Sequence, residues 1–462
     1  MRSQAVTRAP IVLYRDGRGI SLARCEYIFR SFDMKTGLIS NALRLAGLML
    51  VLLASTHVSL GYSVLTHEAI IDSSWDDSIK RILVKRFPRA NAEQLREAHA
   101  YAYGGAIIQD MGYYPFGSKM FTDLVHYVRS GDFIEALLDE SQDINEYAFA
   151  LGALAHYAAD NNGHPIAVNR AVPVAYPKLR VKYGDKVTYV EDPTAHIKTE
   201  FGFDVLQVAK GRYATEAYHD FIGFKVSKPV LKRAFKRTYG IEITDLFASL
   251  DLAIGTYRRA VSTVIPELTK VAWETKKDEI EKVSPGITRD KFVYRISRAE
   301  YQKQWGKEYD KPGVTAKTLA LFVRVLPKVG PLAPLSFKPP TAETERMFLE
   351  SLGATLSGYH ALLAKAQTGR IDLQNKDFDT GELTRPGEYE LADETYAKLL
   401  NKLADRKFDG VTPELRKNIL SFYGDLNAPI KTKQDKKDWR KTLASLEQLK
   451  AAPTQAVAPR PR

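Results

Sequence analysis

Residues 144–160, INEYAFALGALAHYAAD, are apolar on nearly every side at helical period. A helix with no polar face wide enough for solvent has to be central, with other elements packed around it. This run limits the fold more than any other stretch, because the rest of the chain must supply its covering. The sequence then continues NNGHP and so places His156, Asp160 and His164 at steps of four. Such steps keep side chains near one face of a helix. Two imidazoles and a carboxylate on an alanine-rich face are costly to bury unless something pairs with them. Either they satisfy one another, or a cation sits above them.

The flanking sequence offers helices to do the covering. HEAIIDSSWDDSIKRILVKRF repeats apolar residues at helical spacing and stops at Pro88, and NAEQLREAHAYAYGGAIIQD follows with Asn91 as N-cap. KMFTDLVHYVRSGD and DFIEALLDE precede the central run. Residues 165–195, rich in proline and β-branched residues, read as an excursion with a short hairpin. Helices resume at HIKTEFGFDVLQVA and again over about 220–275. VLPKVGPLAPLSFKPP, with five prolines in sixteen residues, is a linker or packed loop. A helix capped by Thr341, a loop beginning DLQNKDFDTGELTRPGEYE, and lysine-rich helices complete the chain. The fold class is all-α: an N-terminal multi-helix bundle with a smaller C-terminal helical region, and no internal repeat.

With 462 residues the chain is long enough for a sizeable core. Its net charge of +12 is concentrated at the two ends. The first 61 residues carry eight basic and three acidic side chains, and the last 32 carry nine and three. The body is close to neutral. A basic tail of this kind can touch anionic lipid or nucleic acid, or stay solvated as a frayed terminus. Cys25 is the only cysteine, which excludes a disulfide framework and thiolate metal ligands.

Residues 34–61 read as a secretory signal. Lys35 and Arg44 form a basic start, LAGLMLVLLAS an apolar core too short for a comfortable span, and Ser59 and Gly61 the small residues before cleavage. Export then follows, to the periplasm or beyond, with a retained anchor as the alternative. Residues 1–33 become an upstream extension reflecting start-codon choice, and Tyr62 the new N-terminus.

Five of the nine histidines stand in patterns. His67 lies five residues after Tyr62. Asp110 follows a helix break at Gly104-Gly105, and His126 sits in FTDLVHYV. His156, Asp160 and His164 form the triplet, and His196 and Glu200, in HIKTE, repeat the spacing of four. Two ligands on consecutive turns can hold one ion, and zinc accepts imidazole nitrogen with carboxylate oxygen. Any one pair alone is ordinary; eight such side chains in order are far more specific. Tyr113, Tyr114 and Phe116 could add an aromatic wall, or belong to the core.

Taken together, YSVLTHEAI, GGAIIQDMGYYPFG with FTDLVHYV, ALAHYAADNNGHP and HIKTE resemble the zinc-dependent phospholipase C family. Its relatives are bacterial exported phospholipases C and, more distantly, fungal single-strand nucleases. The resemblance covers residues 62–205, extending toward 270, and divides the chain into a 62–270 domain, a 271–340 connection and a 341–462 helical region with the basic tail. It implies an α-helical bundle with up to three Zn2+ ions. The amine and carbonyl of Tyr62, with His67, would bind one. Asp110, His126, His156 and Asp160 would bind the second, Asp160 bridging to the first, and His164, His196 and Glu200 would bind the third. A metal-bridged water would be the nucleophile, and Asp110 the carboxylate that orients or deprotonates it.

Three departures accompany the resemblance. Tyr62 stands where family members begin with Trp, which backbone ligation tolerates. His164 follows Asp160 by four residues where six is usual. Leu65 and Met111 occupy the places of a Glu and a Tyr found in choline-binding members, which points away from phosphatidylcholine. The implied activity is phosphodiester hydrolysis of a phospholipid headgroup. The alternatives are a zinc-dependent single-strand nuclease and a non-catalytic protein stabilised by metal. The partners are then a phospholipid or other phosphodiester substrate and a membrane surface. No stable nucleic-acid complex is expected, since no aromatic and basic stacking platform is present.

Overall fold

The central helix forms as its sequence requires. In the computed structural model, which describes residues 64–210, 224–261 and 337–453 except Arg370, together with a few positions between 273 and 288, it is a continuous helix over Ile144–Gly163. Asp143 caps it by accepting from the amides of Asn145 and Glu146, both at 2.9 Å, an arrangement that contributes about 1 kcal/mol. Residues 147–160 are all buried. The segment 34–61, Tyr62, Cys25 and most of 262–336 lie outside the described residues.

Numbering helices along the chain, α1 is Val64–Ser74, α2 Lys80–Arg86, α3 Ala92–Ile107, α4 Lys119–Tyr127, α5 Ser130–Asp139 and α6 the central Ile144–Gly163. Next come α7 Asn169–Ala175, α8 Pro177–Tyr183, α9 Pro193–Ala209, α10 Lys228–Tyr239 and α11 Leu250–Arg259. After the connection lie α12 Ala342–Gln367, α13 Glu390–Asp405, α14 Pro413–Phe422 and α15 Lys436–Ala451. The regular structure among the described residues is helical, with one isolated bridge between Lys376 and Leu383. None of these helices is long and apolar enough to cross a membrane.

α3, α5 and α12 pack around α6. The closest approach is between α3 and α6. A Cβ on Gly105 would stand 1.9 Å from the Phe149 carbonyl oxygen, and one on Gly152 would stand 2.0 Å from that of Ala102. Gly104-Gly105 was expected to break the helix; α3 instead runs through it to Ile107. These glycines are there because two backbones meet. α12 covers another side, where Tyr359 donates to the Leu151 carbonyl at 2.9 Å. Residues 55–462 cluster as one unit, so the C-terminal helices share a core with α1–α11.

One other expectation changes. Residues 165–195 hold no hairpin: a π turn over His164–Val168 continues α6 directly into α7, and α8 follows. Pro165 and Pro177 sit at the starts of their turns, where a missing N–H is cheap. Pro173 lies inside α7 and leaves the Asn169 carbonyl without its helical donor. The Val187 amide takes that carbonyl at 2.9 Å. The helices expected over 220–275 include α10, which ends at Gly240 with φ of 68°, and α11.

Candidate metal centre

His156 projects from the middle of α6, and Asp160 stands one turn later. His156 is fixed by α3, because its Nδ1 lies 2.8 Å from the Ala106 carbonyl oxygen. A carbonyl can only accept, so Nδ1 carries the hydrogen and Nε2 is left as a lone pair. His126, on α4, is set the same way by the Thr122 carbonyl at 2.9 Å. The two Nε2 atoms then face each other at 3.4 Å. Two acceptors do not hold each other at that distance; a cation or a proton has to stand between them.

Carboxylates surround this point. Asp160 Oδ2 is 3.1 Å from His156 Nε2 and 3.5 Å from His126 Nε2, and its Oδ1 is 3.5 Å from His67 Nε2. Asp110, in the 3-10 turn after α3, places Oδ1 3.4 Å from His126 Nε2. His67 stacks on His156 with ring centroids 4.3 Å apart. All five side chains are at most 2 % exposed. Among the described residues, no hydrogen-bond donor reaches the carboxylate oxygens of Asp110 or Asp160. Two ligand sets, His67 with Asp110 and His156, and His126 with His156 and Asp160, each present atoms within 4.8 Å of one another.

His67 reaches this place because α9 caps α1. Asp204 accepts from the Leu65 amide at 3.2 Å and from the Thr66 hydroxyl at 2.6 Å, satisfying a free amide in the first turn of the helix, two residues before the histidine.

His164, His196 and Glu200 form an adjoining cluster. Asp192 caps α9 through the Ala195 amide at 2.8 Å. One turn further on, His196 Nδ1 lies 2.9 Å from Glu200 Oε1. His164 opens the π turn, its Nε2 3.5 Å from the same oxygen. Both Glu200 oxygens and His164 Nε2 are buried with no hydrogen-bond partner among the described residues. The spacing of four between Asp160 and His164 therefore still brings His164 to Glu200.

The electrostatics express one demand. Burial, the largest influence on His126, disfavours its charge, yet Asp110 and Asp160 outweigh it and raise the imidazole to about 10. Burial, with His156 beside it, drops His67 to about 3. Burial pushes Asp160 upward, but His156 and His164 prevail and hold it well below the ordinary carboxylate range. The cluster requires positive charge among its carboxylates, supplied by protons or by a metal ion. Its donors are imidazole nitrogens and carboxylate oxygens, which suit zinc.

Eight of the nine ligand positions expected from the sequence are thus brought together, and Tyr62 lies outside the described residues. Tyr113 and Tyr114 are buried, Tyr113 against His126 and Tyr189, and Phe116 is 44 % exposed. Asn169, Phe378 and Asp379, which touch His164 or His196 directly, are not foreshadowed in the sequence. None of the three stands at a helical interval from a partner, so spacing could not have found them.

Residues 66–248 match the family model described as zinc dependent phospholipase C. No curated protein and no solved structure matches the chain.

Proposed function

We propose, from the premise that residues 66–248 are a member region of the zinc-dependent phospholipase C family, that the chain is an exported phosphodiesterase hydrolysing a phospholipid headgroup. The observation that carries this reading is the pair of His126 and His156 Nε2 atoms at 3.4 Å, each oriented by a backbone carbonyl and faced by Asp110 and Asp160. A proton could hold that pair together, but the orphaned carboxylate oxygens around it call for a larger positive charge.

His67, Asp110, His126, His156 and Asp160 would hold two zinc ions, Tyr62 completing the first, and His164, His196 and Glu200 would hold a third. Zinc bound there supplies Lewis acidity, lowering the pKa of a water from about 16 toward about 7 and neutralising phosphate oxygens. Asp160 would bridge, and Asp110 would orient or accept the proton of the attacking water. Fixing His126, His156 and His164 through Nδ1 on backbone carbonyls, and His196 through Nε2 on Asn169, would keep these ligands in place during turnover. Tyr62 as N-terminus requires cleavage after Gly61, so α1 would begin two residues into the mature chain.

The test is metal analysis of the mature protein together with a substrate panel. Zinc and release of a phosphorylated headgroup from phospholipid vesicles, lost with a chelator and restored by zinc, are expected. Preferential release of nucleotides from single-stranded nucleic acid would replace the headgroup reading with the nuclease one. Melting on chelation, with no turnover on either substrate when loaded, would leave the metals a purely structural role.

A further inference from the structure

Residues 372–389, which lie outside the family match, cross the bundle as an extended strap before α13. The strap is sewn down along its length. The Ser130 hydroxyl donates to the Lys376 carbonyl at 2.6 Å, Asn375 accepts from the Asp132 amide at 3.0 Å, and Tyr157 donates to the Gln374 carbonyl at 2.9 Å. It then turns tightly at DFDTG, where the Gly381 amide donates to the Asp377 carbonyl at 2.7 Å. Gly381 has φ of 73°, and a Cβ there would stand 2.8 Å from the Asn161 carbonyl oxygen. Only glycine fits this turn against the end of α6.

At the turn the strap meets the third cluster from behind. His164 Nδ1 lies 3.0 Å from the Phe378 carbonyl oxygen and 3.3 Å from Asp379 Oδ1. Both are acceptors, so Nδ1 carries the hydrogen and Nε2 points bare toward Glu200. Asp379 is held in turn by the Tyr127 hydroxyl at 3.0 Å and by the Tyr389 hydroxyl. The Asp379 carbonyl accepts from Asn169 Nδ2 at 2.6 Å, which turns Asn169 Oδ1 toward His196 Nε2 at 3.0 Å. His196 must therefore donate from Nε2 and leave Nδ1 bare toward the same Glu200. Two successive residues, Phe378 and Asp379, thereby set the tautomer of both histidines.

We infer that the strap is the positioning element of the third metal position: Asp379 and the Phe378 carbonyl hold His164, and Asn169, locked by the Asp379 carbonyl, holds His196. The inference rests on the metal-centre reading above. It adds that the matched region alone does not orient these ligands. Partners of this kind commonly govern metal affinity by roughly 10- to 100-fold.

The test uses the full mature chain loaded with zinc alone, for wild type, Asp379→Asn and Asn169→Ala. Ions are counted by native mass spectrometry, and the weakest-held ion is titrated against a chelator. Wild type is expected to carry three ions. Both variants should keep two at wild-type strength and release the third roughly 10- to 100-fold more readily. A merely structural strap would loosen all ions together or lower the melting point without changing their order of release, and either result overturns the inference. Should Asp379→Asn fail to fold, Asn169→Ala reaches the same pair from α7. Unchanged affinity of the third ion in a folded variant, with wild type holding three, overturns the strap alone. A wild-type chain that takes up no zinc overturns the metal centre itself and the strap with it.

Discussion

Asp160 has the imidazole nitrogens of His67, His126 and His156 within 3.5 Å of its carboxylate. Replacing it with asparagine keeps the volume and removes the charge that binds them. Asp160→Asn is expected to lose at least about 100-fold in turnover and to carry less zinc, with an unchanged helical circular dichroism spectrum. Wild-type turnover in that variant would contradict the bridging role. This residue was legible in the sequence because it shares one helix with His156 and His164, and a common helix converts an interval of four into proximity. Asp379 was not legible. It meets His164 across 215 positions through a turn with no period, and only the folded chain supplies that information.

Among the elements, α6 could be read directly, since its composition leaves no face for solvent. Residues 165–195 were misread for a physical reason: prolines and valines disfavour helix in isolation, whereas here the prolines sit at turn starts or have their orphaned carbonyl taken by Val187. The α3–α6 crossing offers a sharp comparison. Gly152→Ala would drive a methyl into the Ala102 carbonyl, displace α3, and disturb the Ala106 carbonyl that orients His156. A loss of about 1–3 kcal/mol or more is expected, together with weaker zinc retention. On α12, exposed Gly353 has open space around its Cβ direction, and Gly353→Ala should stabilise by about 0.4–1 kcal/mol. Thermal or urea unfolding of the two variants checks both signs. Equal shifts would show that the glycines at the crossing are not there for close approach.

On the scale of the whole molecule, the proposed ligands come from α1, α4, α6 and α9 and from the turns that follow α3 and α6. The bundle class and most of the proposed ligand set could be read in the chain, because they depend on local period and on a shared motif order. The contribution of the C-terminal third could not, because it depends on tertiary contact alone. The cap that Asp204 places on α1 has a consequence of its own. α9 holds His196 and Glu200 at one end and grips the first turn of α1, with His67, further along. An ion held by Glu200 would stiffen α9, and so would spare the next ion part of the entropic cost of ordering His67. Metal uptake should therefore be cooperative, and calorimetric zinc titrations should show binding steps that Asp204→Ala uncouples. Independent, superimposable steps in both proteins would mean that the two ends of α9 do not communicate.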